Sequence, residues 1–214
     1  MNRFDRSRQV LAVCLAGLAG FVDATGYLSA HGYFVSFMSG NTTRLAVNLA
    51  QDPRAAIAPL LLICGFVAGV VGGALVAARA GEARKPAVLG LVACLLMVAG
   101  MAGSGGWTNW ALAAMVTAMG AINNTFQRDG EVAVGVTYMT GALVRLGQAI
   151  AARVMGRRGG SWAPHLMLWL GLAGGAVTGA VAFHHFGVEA DWIACGWAWV
   201  LALAARGIGA KAPR

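Results

Sequence analysis

Six apolar runs dominate the chain, at about 10–30, 57–78, 86–103, 107–126, 162–183 and 190–207. Each approaches the roughly 20 residues that a helix needs to cross a hydrocarbon core. Two stretches break this pattern by mixing apolar and polar positions, 33–50 and 132–152. Both are more polar than an ordinary span, and a re-entrant element, an interfacial helix or a complete crossing is open for each. The pattern predicts an all-α membrane protein of six transmembrane helices, with an extra polar segment, re-entrant or half-helical, after the first and fourth spans.

The chain also contains itself twice. Laid over each other at a constant offset of 101, residues 23–50 and 124–151 bring Met38, Gly40, Arg44, Leu45 and Ala50 onto Met139, Gly141, Arg145, Leu146 and Ala151. Asp23 then falls on Asn124, Ser36 on Thr137, Phe37 on Tyr138 and Ser39 on Thr140. Further on, Ala58-Pro59 and Ala163-Pro164 open matching runs that carry matching glycine combs, Gly65, Gly69, Gly73 and Gly171, Gly175, Gly179. The expected repeats are 1–104 and 105–214. Three spans per repeat is an odd number, so the two copies are expected to lie in the membrane in opposite orientations.

Charge agrees with that topology, because cytoplasmic loops collect Lys and Arg. With the N-terminus inside, Arg3, Arg6 and Arg8, then Arg79, Arg84 and Lys85, then Arg128, Arg153, Arg157 and Arg158, and finally Arg206, Lys211 and Arg214 fall on the cytoplasmic side. Only Arg44 and Arg54 are out of place. Both termini are therefore expected in the cytoplasm, and the N-terminal apolar run is expected to stay as a span instead of being cleaved as a leader.

Composition narrows the class further. Hydrophobic residues make up 58% of the chain and charged residues 11%, which excludes an ordinary soluble domain. The net charge of +8 is concentrated at helix ends, so it reads as orientation signals and headgroup contacts, not a nucleic-acid interface. Cys14, Cys64, Cys94 and Cys195 each stand alone in an apolar run, a packing pattern with no zinc or disulfide spacing. No cofactor or metal site is expected.

Candidate chemistry sits in the two polar segments. Each reaches a hydroxyl-glycine pair, Ser39-Gly40 or Thr140-Gly141, and places an arginine four residues later, Arg44 or Arg145. An arginine at depth costs about 2.5 to 3.5 kcal/mol on insertion scales, so it should face protein, water or a partner charge. A re-entrant element lining a cavity satisfies that, and so does an interfacial helix whose arginine snorkels. Asn41, Thr42, Thr43 and Asn48 favour the cavity, although the second copy replaces the first three with Ala142, Leu143 and Val144. Asp23 is the only carboxylate read inside a span. It is a candidate to carry a proton, to coordinate a cation, or to neutralise Arg44 or Arg145. Thr25, Asn123, Asn124 and Thr125 lie at matching depths and extend a polar patch. The glycine combs, one residue in four, predict close helix packing, within the chain or between two copies in a homodimer.

The run GFVDATGYL at 20–28, followed by FVSFMSGNTTRLA at 34–46, resembles the YoaK-like family of multi-pass membrane proteins. Gly20, Asp23 and Tyr27 match its Gly-x-x-Asp-x-x-x-Tyr element, and Met38, Ser39, Gly40, Asn41 and Thr42 match its Met-Thr/Ser-Gly-Asn-Thr signature. The resemblance implies a bacterial inner-membrane protein and names no substrate. The residues point to a small secondary transporter or channel for a small solute or ion, with a non-transporting scaffold or regulatory protein as the alternative. Enzyme chemistry is not expected: the rhomboid-type Gly-x-Ser-Gly element is absent, and His184 and His185 read as a solvated loop.

Overall fold

The computed structural model of the chain describes residues 6–30, 32–128, 131–132, 135–157 and 161–209. Arg3, Arg158, Lys211 and Arg214 lie outside these residues, as do Ala133 and Val134 of the second polar segment. Among the described residues the protein is almost entirely helical. The exception is a two-residue antiparallel pairing of Gln127–Arg128 with Glu131–Val132.

All six apolar runs form helices: α1 (Arg6–Ser29), α3 (Ile57–Ala80), α4 (Arg84–Ser104), α5 (Thr108–Ala121), α7 (Ala163–Phe186) and α8 (Ala190–Gly209). The polar segments supply two shorter helices, α2 (Met38–Gln51) and α6 (Met139–Val154). Three helical stretches are long and apolar enough to cross a membrane: Arg6–Ser29, Ile57–Ser104 and Ala163–Ile208. The second and third each hold two helices, α3 with α4 and α7 with α8. They are broken at Gly81 (φ +52°) and Gly187 (φ +59°), a left-handed conformation that only glycine adopts without cost. Each break lets its two helices touch.

α5 differs from its expected span, 107–126. The α-helix ends at Ala121, and Ile122–Thr125 winds on as a 3-10 turn. The cause is local: the Asn123 amide donates to the Met119 carbonyl at 2.9 Å, and the Thr125 hydroxyl donates to that of Ile122 at 2.7 Å. Such side-chain bonds compete with the helix ladder.

The glycine combs join the two halves of the chain. α1 packs most extensively on α7, α5 packs equally on α3 and α4, and α4 packs also on α8. A Cβ added at Gly73 would stand 2.8 Å from the Ala121 carbonyl oxygen, and one at Gly179 would stand 2.5 Å from that of Phe21. Gly69 and Gly175 meet the carbonyls of Thr117 and Gly17 in the same way. Absence of side chains brings these backbones together.

That packing also revises the register of the duplication. Gly175 and Gly179 face residues 17 and 21, whereas Gly69 and Gly73 face residues 117 and 121. On the helices the offset is therefore 100, while the polar segments keep 101. The offset of 100 still holds at Thr25 and Thr125, whose hydroxyls donate to Val22 and Ile122, so the extra residue falls after the 3-10 turn and before Val136. Asp23 thus corresponds in space to Asn123, not to Asn124 as the ungapped overlay has it.

Leu15 and Leu18 of α1, Leu89 and Leu96 of α4, and Met115 and Met119 of α5 are fully buried. The outer faces are also apolar. Leu61, Val67 and Val71 on α3, Val177 and Val181 on α7, and Val200 and Leu203 on α8 are all exposed. Apolar surface on both sides of the helices is what a lipid-immersed bundle requires. Trp107 and Trp110 at the start of α5, and Trp162 just before α7, are exposed where aromatic anchors collect.

Candidate functional site

Both polar segments reach one cavity of about 690 Å³. Its walls repeat the duplication: Ser36 and Thr137, Met38 and Met139, Ser39 and Thr140, Asp23 and Asn123, Phe66 and Leu172 face it in pairs. Ser39, Thr140 and Arg145 are exposed while lining it, so the cavity is open.

The route by which each segment arrives starts on the long helices. After α1 the chain runs from Phe34 to Phe37 without helix, bending at Val35 and Ser36, and the Asp23 side chain holds it there. Its Oδ1 accepts the backbone N–H groups of Val35 and Ser36, both at 2.9 Å. Val35 is fully buried beneath this brace, against Gly26. In the second half the counterpart is thinner: the Thr137 hydroxyl donates to Asn123 Oδ1 at 3.2 Å. Val136 is buried as completely as Val35.

Asp23 is therefore occupied by backbone donors. Among the described residues no ion pair joins it to Arg44 or Arg145, and the expectation that it neutralises one of them gives way to this brace.

Several other polar residues of the first segment are also occupied by the protein itself. Asn41 is fully buried and clasps the backbone of Phe34, taking its N–H at 3.1 Å and donating to its carbonyl at 2.6 Å. Thr42 and Thr43 donate to the carbonyls of Met38 and Ser39 one turn back, at 2.8 and 3.1 Å. Asn48 donates to the Tyr33 hydroxyl and the Ala55 carbonyl at 3.3 and 3.0 Å. Arg44 lies over the Tyr33 ring, 5.1 Å from its centroid, in space that Gly32 leaves free. Gly40 packs on Phe37.

Of the residues singled out from the sequence, Asp23, Ser39, Thr140, Gly141 and Arg145 line the cavity. Gly40, Asn41, Thr42, Thr43, Arg44 and Asn124 do not. The Asn124 amide donates instead to Val70 on α3 at 3.0 Å and to Ala121 at 3.3 Å. Sequence reasoning passed over His165, Ser36, Thr137, Phe66 and Val70, which also face the cavity. The signal for Ser36 and Thr137 was their place in the overlay. For His165 it was its position directly after Ala163-Pro164, on the first turn of α7.

One further carboxylate is buried. Asp191, on the first turn of α8, is 3% exposed and packs by Gly103, so Asp23 is not alone among the helices. Nearby, the Ser104 hydroxyl donates to Glu189 Oε2, and the Trp192 indole donates to Ser104, both at 3.1 Å. This cluster is separate from the cavity. Cys195 closes the α4–α8 contact, its Sγ 3.6 Å from the Ala93 carbonyl oxygen.

Comparison with known proteins agrees with a membrane assignment. A UPF0700 transmembrane protein of Rhizobium meliloti (strain 1021) is 38% identical over 184 residues, covering 86% of this chain and 79% of that protein. No solved structure matches the chain. Residues 11–204 match the family described as Protein of unknown function (DUF1275), and with a transmembrane relative this similar the chain belongs to that family of uncharacterised membrane proteins.

Proposed function

We propose that this protein is a small secondary transporter or channel whose solute site is the cavity between the two polar segments. The observation that carries this reading is the convergence of α2 and α6, one from each half, with their N-terminal turns on a single cavity. Paired half-helices meeting at a shared site are the device by which duplicated transporters hold a solute at mid-membrane. In this reading α1, α3, α4, α5, α7 and α8 cross the bacterial inner membrane. The halves are inverted, the termini are cytoplasmic, and lysine and arginine placement supports that orientation.

Asp23 is the coupling residue of this reading. A proton or cation taken up by its carboxylate competes with the amides of Val35 and Ser36, loosening the connecting segment that walls the cavity. Asn123 cannot take up a proton, so the two walls respond differently. The expected result for Asp23→Asn in proteoliposomes is normal expression and assembly with loss of coupled flux, read as substrate-dependent uptake or release of protons.

A specific observation favours the alternative, a non-transporting scaffold: the Asp23 bonds are those of a folding brace. That reading predicts that Asp23→Asn changes assembly on size-exclusion chromatography, or nothing at all, and that no solute gradient moves.

A further inference from the structure

The cavity is chemically lopsided, although its scaffold is duplicated. Its carboxylate, Asp23, is held by two backbone donors. Across the cavity stand Arg145 on α6 and His165 on α7, and among the described residues neither forms an ion pair. The matching arginine of the first half, Arg44, has a different place: it stacks on Tyr33 and does not line the cavity. At the position of Tyr33 the second half carries Val134, which has no ring to hold a guanidinium. Duplication supplied the same side chain twice, and divergence left one copy available to a ligand.

We infer that the cavity binds a small organic anion, a carboxylate joined to an apolar body. This rests on the reading of the cavity as a solute site. A guanidinium is planar and meets a carboxylate through two parallel hydrogen bonds, so Arg145 selects that head group over a point charge. A cation at membrane depth without an acid partner is costly, and an anionic ligand removes that cost. Tyr138, at the N-cap of α6, makes no side-chain cap bond, and the first turn of α6 lines the same cavity, so the helix N-terminus adds to the same preference. The rest of the wall is apolar, with Phe34, Phe66, Leu168 and Leu172 facing the space. Its volume suits a compact organic molecule, since such sites occupy roughly 300–1,000 Å³.

Isothermal titration calorimetry on the full-length protein in detergent tests this, with acetate, 4-methylpentanoate and benzoate as probes against benzamide and benzylammonium. A carboxylate with an apolar body should bind saturably and more tightly than the neutral and cationic analogues. Arg145→Gln should weaken it on the order of 10- to 100-fold, as expected for a lost charge-assisted bond. Arg145→Lys should recover part of that loss, and Arg44→Gln should leave affinity within about twofold, the margin expected for a charge outside the site. Benzamide or benzylammonium binding as tightly, no carboxylate reaching saturation, or an Arg44→Gln loss equal to that of Arg145→Gln overturns the inference. Flux assays separate it from the transport reading. Carboxylate binding at Arg145 without any flux upholds the site and overturns transport, whereas cation flux untouched by Arg145→Gln upholds transport and overturns the anion site.

Discussion

At the scale of single residues the protein uses side chains as surrogate backbone partners. Asp23 and Asn41 together hold four backbone bonds of the non-helical segment between α1 and α2, at Phe34, Val35 and Ser36. Each buried amide left unpaired costs about 1–3 kcal/mol. Asp23→Ala should therefore lower the unfolding midpoint in detergent on the order of 5 °C. Asp23→Asn retains the accepting Oδ1 and should stay within about 2 °C of the native protein. Equal shifts for the two variants, read by intrinsic fluorescence on heating, would show that the brace does not hold the segment. The same accounting explains which site residues the sequence could reveal. Composition marks Asn41, Thr42 and Thr43 as polar, but it does not say whether a polar group serves a ligand or the backbone beside it, and here all three serve backbone.

At the scale of elements, the helices follow directly from the apolar runs, with boundaries a few residues from those expected. The clearest departure is α5, where Asn123 and Thr125 turn the last residues into a 3-10 turn, and the register shifts by one beyond that turn. No comparison of strings places that shift, because it is visible only in which glycine meets which carbonyl. The glycine combs were legible as packing faces. Their partners were not, since a small residue every fourth position fits a neighbour within the chain as well as one in a second copy. The structure's contacts make a sharp prediction. Gly73 and Gly175 lie against opposing backbone, whereas Gly72 and Gly174, their chain neighbours, have nothing within 4 Å of an added Cβ. Gly73→Leu and Gly175→Leu should destabilise by about 1–3 kcal/mol or more through overpacking. Gly72→Leu and Gly174→Leu should be neutral or mildly stabilising, since leucine is the better helix former. Thermal unfolding of the four variants distinguishes the faces.

At the scale of the whole molecule, duplication explains both the symmetry of the scaffold and the asymmetry of the site. Each half lends its first long helix to the glycine face of the other, so neither half buries its own comb. The polar segments then meet in the space these crossed pairs leave. Within that shared frame the halves have diverged at Asp23 against Asn123, and their arginines have different places, Arg44 stacked on Tyr33 and Arg145 on the cavity wall. The central claim is that the two polar segments border one water-filled cavity. In a background lacking Cys14, Cys64, Cys94 and Cys195, single variants Ser39→Cys, Thr140→Cys, Thr43→Cys and Val144→Cys would be treated with a membrane-impermeant thiol reagent from each side of the membrane. The account predicts that Ser39→Cys and Thr140→Cys react together from the side to which the cavity opens, while Thr43→Cys and Val144→Cys, outside the cavity, stay unreactive. Silence of both cavity positions from both sides, or equal labelling of all four, would contradict it.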